Sequence, residues 1–101
     1  MDYLAKVRAE ARDAYSWSNG PGDRYAEHRH PYTKLLYCTD GSIDFRLGDG
    51  RVIALAAGDR MVLPAGTPHS AVVGLNGCTC IEGKITATER SAKPGERGEP
   101  G

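Results

Sequence analysis

Apolar and polar positions alternate with a period of two over most of the chain, in short runs broken by glycine, proline, aspartate and asparagine. Because successive side chains on a strand point to opposite faces, this pattern predicts half-buried β-strands. Eight strands are expected, at Tyr15–Ser18, Tyr25–His28, Lys34–Thr39, Ser42–Leu47, Val52–Leu55, Arg60–Leu63, Ser70–Gly74 and Thr79–Ile85. Short strands at close spacing, with no helix between them, indicate an all-β barrel or jelly roll.

The two ends of the chain depart from this pattern. Residues 2–13 carry apolar side chains three and four positions apart after Asp2, a suitable N-cap, which predicts a short helix. Residues 86–101 contain no large apolar side chain and end in a stretch rich in proline and glycine, which predicts a flexible tail. We therefore expect an N-terminal helix or arm over residues 1–13, a barrel over 14–85 and a tail over 86–101.

Three short segments supply the expected chain reversals. Gly48-Asp49-Gly50 predicts a hairpin, because Asp-Gly readily provides the positive φ of a tight turn. Two further turns are predicted at Pro64–Pro68 and Leu75–Gly77, from their proline, glycine and asparagine content.

Charge and composition narrow the class of protein. The 101 residues carry 13 Lys or Arg against 13 Asp or Glu, so the formal net charge is zero. This balance argues against nucleic-acid or membrane partners, which clustered basic residues bind. No apolar run approaches the roughly 18 residues that span a bilayer, and the charged N-terminus is unlike a signal peptide. We expect a cytoplasmic, single-domain protein whose three cysteines pack in reduced form.

The candidate chemistry is concentrated in the three histidines of the chain. His28 and His30 are two residues apart, a spacing that on a strand points both rings to the same face. His69 follows Pro68, which restricts the backbone of the turn that carries it toward the barrel. Three neutral imidazoles suit a divalent first-row transition metal. We therefore predict a centre at these histidines for iron, nickel, manganese or zinc.

The histidines lie in two spaced motifs, Gly22-x5-His28-x-His30-x3-Lys34-x6-Gly41 and Gly58-x5-Pro64-x-Gly66-x2-His69. These resemble the signature motifs of the cupin superfamily, G-x5-H-x-H-x3,4-E-x6-G and G-x5-P-x-G-x2-H-x3-N, over residues 22–73. The resemblance implies a small single-domain cupin barrel, also described as a jelly roll or double-stranded β-helix, whose histidines hold a metal in its interior. Two positions differ, since Lys34 replaces the family's glutamate ligand and Val73 its asparagine.

Lys34 shares strand parity with His28 and His30, so its side chain is expected to face the same interior. Three arrangements are open. The ammonium pairs with a carboxylate beside a three-histidine metal, or it suppresses metal binding and leaves a pocket for an organic anion, or it extends to the barrel mouth. Glu82 on the last strand is the expected partner in the first arrangement. There Lys34 is assigned a catalytic role as a charge beside the metal.

Several functions follow from the resemblance. One is a metal-dependent oxygenase acting on a small organic substrate, because cupins with three-histidine iron sites react with dioxygen. The alternatives are a metal-assisted isomerase or lyase, and a non-catalytic cupin that binds a small carboxylate or sugar. Arg24 and Tyr32 are the predicted substrate-binding residues, and a guanidinium such as that of Arg24 can hold a carboxylate. A small core and an open edge strand predict a homodimer.

Overall fold

The computed structural model describes residues 2–85, so the tail predicted over 86–101 lies outside the described residues. The described part contains one helix and six strands: α1 Tyr3–Glu10, β1 Ala11–Asn19, β2 Arg24–His28, β3 Lys34–Leu47, β4 Val52–Ala56, β5 Arg60–Leu63 and β6 His69–Ile85. Asp2 caps α1 as predicted, since its carboxylate accepts the backbone N–H of Ala5 at 3.0 Å. The helix ends at Glu10 rather than at residue 13, because the backbone becomes extended at Ala11.

The six strands form one antiparallel sheet that is organised around its two longest members. β3 pairs with β6 along nearly its whole length. On the other side of β6, β1 pairs with the C-terminal half and β2 with the N-terminal end. On the other side of β3, β5 pairs with the beginning and β4 with the end. This arrangement confirms the prediction of an all-β fold with one short helix.

The third and fourth predicted strands form one strand, β3, and the seventh and eighth form one strand, β6. The predicted breaks between them are irregularities within these two long strands. The sheet therefore has six strands in the described residues rather than eight, and the turn predicted at Leu75–Gly77 is wrong. Gly41 in β3 pairs with Cys78 in β6, and the register shifts on both sides of Gly41. Gly41 and Gly77 have φ of +68° and +76°, a conformation that glycine adopts without strain. A Cβ on Gly41 would lie 1.9 Å from the carbonyl oxygen of Gly77, so the two strands meet closely at these bulges.

The other two predicted turns are present. In the hairpin between β3 and β4, the N–H of Gly50 donates to the carbonyl of Leu47 at 2.9 Å. In the segment before β6, the N–H of Thr67 donates to the carbonyl of Pro64 at 3.2 Å. This second turn positions the start of β6, where His69 lies.

The first half of β3 is buried on both faces, because α1 covers the outer face of the sheet. Leu35 and Tyr37 pack outward against Val7 of the helix, while Leu36 and Cys38 join the inner core. All three cysteines are free and buried, in line with the reduced packing role predicted for them. Among the described residues, no helix is long and apolar enough to cross a membrane.

Candidate metal centre

The three histidines meet where β2 ends and β6 begins. His28 is the last residue of β2 and pairs in register with His69, the first residue of β6. The centroids of these two rings are 4.4 Å apart, and the ring of His30 lies 4.9 Å from that of His28 and 5.2 Å from that of His69. One nitrogen of each ring lies within 4.8 Å of the other two. The three residues thus form a cluster of the kind that could hold one ion.

His30 reaches the cluster from the segment that follows β2. The expectation that it alternates with His28 on one strand is wrong, because β2 ends at His28. The backbone carbonyl of His30 instead accepts the N–H of Gly66 at 2.8 Å, which ties this segment to the turn before His69. His28 is exposed, His30 is half-buried and His69 is buried, so the cluster runs from the surface into the core.

Backbone carbonyls orient two of the rings. Nδ1 of His28 lies 2.7 Å from the carbonyl oxygen of Ala26, and Nδ1 of His69 lies 2.9 Å from that of Thr67. An imidazole whose Nδ1–H donates to a carbonyl presents the lone pair of Nε2. These contacts therefore suit the use of Nε2 of both rings as metal ligands.

Burial keeps two of the imidazoles neutral at neutral pH. Desolvation lowers the pKa of His30 to about 4, and the positive charge of Lys34 and the neighbouring histidines act in the same direction. Desolvation also lowers the pKa of His69, although its hydrogen bond to Thr67 opposes the change. A metal binds the unprotonated ring, so both residues are in the state that a metal requires.

Lys34, the first residue of β3, lies inside with the histidines as its parity predicted, and only 8% of it is exposed. Its Nζ is 3.4 Å from Oε1 of Glu82 and 3.3 Å from Nε2 of His30. The predicted pairing with Glu82 is therefore confirmed, and the arrangement in which the ammonium extends to the barrel mouth is not adopted. The register between β3 and β6 explains this pairing. Glu82 on β6 lies opposite Leu36 on β3, and Leu36 is on the same face as Lys34, two residues further along the strand.

Glu82 is anchored by two aromatic residues that the sequence did not single out as partners. Its carboxylate, in a residue only 4% exposed, accepts the hydroxyl of Tyr15 at 3.0 Å and the indole N–H of Trp17 at 2.8 Å. Both donors lie on β1, where Tyr15 pairs with Glu82 and Trp17 with Cys80. Desolvation, followed by the charge of Glu82, raises the pKa of Tyr15 to about 12. No local sequence signal identifies this contact, since it joins the first strand to the last.

These groups line a cavity of about 320 Å³. Its polar side is formed by the histidine cluster and the ion pair of Lys34 with Glu82. Its remaining wall consists of the side chains of Tyr15, Trp17, Tyr25, Phe45 and Ala71. A cavity of this size, largely apolar with a few convergent polar groups, is typical of sites for small organic ligands.

The two predicted substrate-binding residues lie outside this lining. Arg24 is exposed, and Tyr25 lines the cavity in its place. The reason is a register shift between Tyr25 and His28, which pair with Ala71 and His69 and so share a face despite a separation of three residues. Tyr32 stacks on the ring of His30 with centroids 5.0 Å apart, and it carries Nζ of Lys84 at 4.7 Å from its own centroid. Substrate binding by Arg24 or Tyr32 stays a prediction.

Comparison with known proteins found a matching family and a similar enzyme. A family model described as "Cupin domain" matches residues 16–74. A protein named quercetin 2,3-dioxygenase from Bacillus subtilis (strain 168) is 44% identical over 55 residues, which are 52% of this chain and 16% of that protein. The chain thus spans about a sixth of the length of this relative.

Solved structures resemble the fold over about three quarters of the chain. An RmlC-like cupin from Shewanella frigidimarina is 26% identical with a TM-score of 0.63, over 76% of this chain and 68% of that one. The DMSP lyase DddQ from Ruegeria pomeroyi is 22% identical with a TM-score of 0.66, over 75% of this chain and 39% of that one. The second likeness concerns the fold alone.

Proposed function

Since the chain belongs to the cupin family, we propose that it binds a divalent transition metal through His28, His30 and His69 and oxygenates a small organic substrate beside it. The observation that carries this proposal is the cluster of three imidazole nitrogens within 4.8 Å of one another on a cavity wall. The likeness to a protein named as a dioxygenase supports an oxygen-dependent reaction over an isomerase or lyase reaction.

The donor set fits such an ion. Two ligands at about 2.1 Å from one ion lie up to about 4.2 Å apart, so a small ring rotation brings nitrogens within 4.8 Å into the range for shared coordination. Nδ1 of His28 and of His69 lies beside a backbone carbonyl, an outer contact that metal-binding histidines commonly have. The lowered pKa of His30 and of His69 removes competition from protons at neutral pH.

The residues of the cavity have separate parts in the proposed reaction. A bound ion would supply Lewis-acid chemistry at the substrate and a site where dioxygen and substrate meet. Lys34 would donate a hydrogen bond to a substrate oxygen on which negative charge develops, which is its proposed catalytic role. Glu82 holds the ammonium of Lys34 in place through their ion pair. The aromatic wall excludes water from the substrate, which strengthens these interactions.

The experiment that tests the metal site is elemental analysis of the purified protein and of His69→Ala. We expect near-stoichiometric transition metal in the native protein and its loss in the variant. Asp44→Asn, which changes an exposed residue of β3, serves as the control and should keep the metal. A native protein that stays metal-free after incubation with iron, nickel, manganese and zinc would contradict the proposal. Oxygen consumption with candidate substrates then tests the reaction.

A second candidate function is a non-catalytic cupin that binds a small carboxylate or sugar. The observation that favours it is the ammonium of Lys34 in contact with Nε2 of His30, which places a cation beside the cluster. A thermal-shift screen of the metal-free protein separates the two candidates. Stabilisation by an organic acid and none by a metal would support the binding module.

The proposed assembly is a homodimer. β4 forms one end of the described sheet, and Val52 on β4 and Val62 on β5 are 49% and 43% exposed. An apolar edge of this kind is commonly covered by another chain. Light scattering at micromolar concentration should give twice the chain mass of 10.8 kDa, and a monomer would contradict the proposal.

A further inference from the structure

We infer that Nε2 of His30 is its metal-binding nitrogen and that Lys34 is a displaceable internal cation on it, so that a metal enters only as the ammonium moves fully onto Glu82. Because the cluster offers imidazole nitrogens and no carboxylate, we infer further that it prefers zinc over manganese. This inference rests on the proposed metal site and deepens it. It concerns how the site is loaded and which ion it prefers.

The first step is the contact between Lys34 and His30. Nζ lies 3.3 Å from Nε2, and since a lysine ammonium has only donors, the imidazole nitrogen accepts the hydrogen bond. The neighbouring rings of His28 and His69 differ, because each places Nδ1 beside a backbone carbonyl. The lone pair of His30 Nε2 serves one partner at a time. A metal and the ammonium of Lys34 therefore compete for the same atom.

The second step is the place to which the ammonium moves. Oε1 of Glu82 lies 3.4 Å from Nζ, so the carboxylate can take the ammonium after a small change in the lysine side chain. Glu82 itself is held by Tyr15, which donates to Oε2 at 3.0 Å, and by Trp17, which donates to Oε1 at 2.8 Å. The carboxylate is therefore a fixed acceptor that draws Lys34 away from the histidines. It cannot follow Lys34 into the metal site without losing both aromatic donors.

The third step is the consequence for the choice of metal. Among the described residues the cluster offers three imidazole nitrogens and no carboxylate, and Lys34 stands where the resembled motif has glutamate. Carboxylate oxygens suit manganese, whereas imidazole suits zinc, nickel and copper, whose complexes are also the more stable. Displacing the ammonium adds a cost that is the same for every ion. Only ions that imidazole binds strongly then load the site at low concentration.

The test is competitive titration of metal-stripped protein with zinc and with manganese, against a chromophoric chelator. Lys34→Met removes the ammonium and keeps an unbranched side chain that is one atom shorter. Zinc should bind this variant about 10- to 100-fold more tightly than the native protein, or about 1.4 to 2.7 kcal/mol, as expected for loss of one competing charge-assisted hydrogen bond. Lys34→Glu should narrow the preference for zinc over manganese by at least about tenfold.

Lys84→Met is the matched control. Lys84 lies opposite Lys34 in the sheet and contacts the ring of Tyr32, so this substitution removes an equal charge nearby without touching His30 Nε2. Its zinc affinity should stay within about threefold of native, less than one hydrogen bond contributes. Because Lys34→Met leaves Glu82 buried and unpaired, the double variant Lys34→Met/Glu82→Gln is measured as well and should show the same gain.

Three results would overturn the inference. Native and Lys34→Met proteins that bind zinc equally would remove the competition and leave the proposed metal site standing. An equal gain in Lys84→Met would mean that only the overall charge matters. If neither the native protein nor any Lys34 variant binds an ion while circular dichroism shows a native fold, the inference and the proposed metal site both fall.

Discussion

Replacing Glu82 with glutamine removes the charge of a carboxylate in a residue that is 4% exposed, with almost no change of shape. The ammonium of Lys34, 3.4 Å away in a residue that is 8% exposed, then has no anionic partner. The amide keeps one oxygen, which can still accept the indole N–H of Trp17, and its NH2 group can donate to the hydroxyl oxygen of Tyr15. The loss is therefore mainly that of the attraction between two buried charges.

The magnitude follows from this geometry. Two unit charges 3.4 Å apart attract each other by about 5 kcal/mol at an effective dielectric constant of about 20. Part of this is offset because the neutral amide needs less desolvation than the carboxylate. We expect Glu82→Gln to lower the free energy of unfolding by about 3 kcal/mol, the lower end of the range for breaking a buried pair.

The assay is urea denaturation of the chelator-treated protein, so that metal binding does not add to its stability. Circular dichroism follows the sheet, and fluorescence of Trp17, the single tryptophan, follows the surroundings of Glu82. Glu10→Gln is the control, because it breaks the ion pair of Glu10 with Arg60, whose side chains are 44% and 40% exposed. An exposed pair of this kind contributes at most about 1 kcal/mol.

The double variant Lys34→Met/Glu82→Gln isolates the pair. It removes both charges, so it should be more stable than Glu82→Gln alone, with a coupling energy of about 2 kcal/mol. The reasoning is refuted if Glu82→Gln costs no more than Glu10→Gln. It is equally refuted if the effects of the two single substitutions simply add in the double variant.

Two further predictions concern the bulges and the anchoring tyrosine. Gly41→Ala should lower the free energy of unfolding by about 3 kcal/mol or more, because its Cβ would lie 1.9 Å from the carbonyl oxygen of Gly77. Gly50→Ala is the control, since Gly50 has φ of +94° but open surroundings, and it should cost only about 1 to 2 kcal/mol. Thermal denaturation of the two variants gives the comparison. Because folding raises the pKa of Tyr15 from 10.0 to about 12, its contribution to stability is complete below pH 10 and is lost as the pH rises toward 12. Phenolate absorbance should show this late titration in the native protein and lose it in Tyr15→Phe; a native protein without it would contradict the proposed environment of Tyr15.

Much of the fold and part of the site could be predicted from local pattern. Period-two alternation located most of the strands, because alternation along one strand needs no knowledge of the partner strand. Lys34 lies inside as expected, but its parity was counted from His28 across residues 29–33, which lie between β2 and β3, so register rather than parity places it there. Alternation does not hold between Tyr25 and His28, since an extra residue there changes the parity and nothing in the local sequence marks it. The predicted pattern also split β3 and β6 into two strands each, near Gly41 and Gly77. A glycine with positive φ is compatible with a bulge inside a strand as well as with a turn between strands.

The sequence by itself determined which chemical groups the protein has and roughly which face each one occupies: three histidines, one lysine in place of an acidic ligand, and a sheet to hold them. Only the tertiary structure decided what these groups contact. The pairing of β1 with β6 brings Tyr15 and Trp17 to Glu82, and the pairing of β3 with β6 brings Glu82 to Lys34. Such contacts depend on the register between strands far apart in the chain, whereas the alternation of side chains is a property of each strand alone.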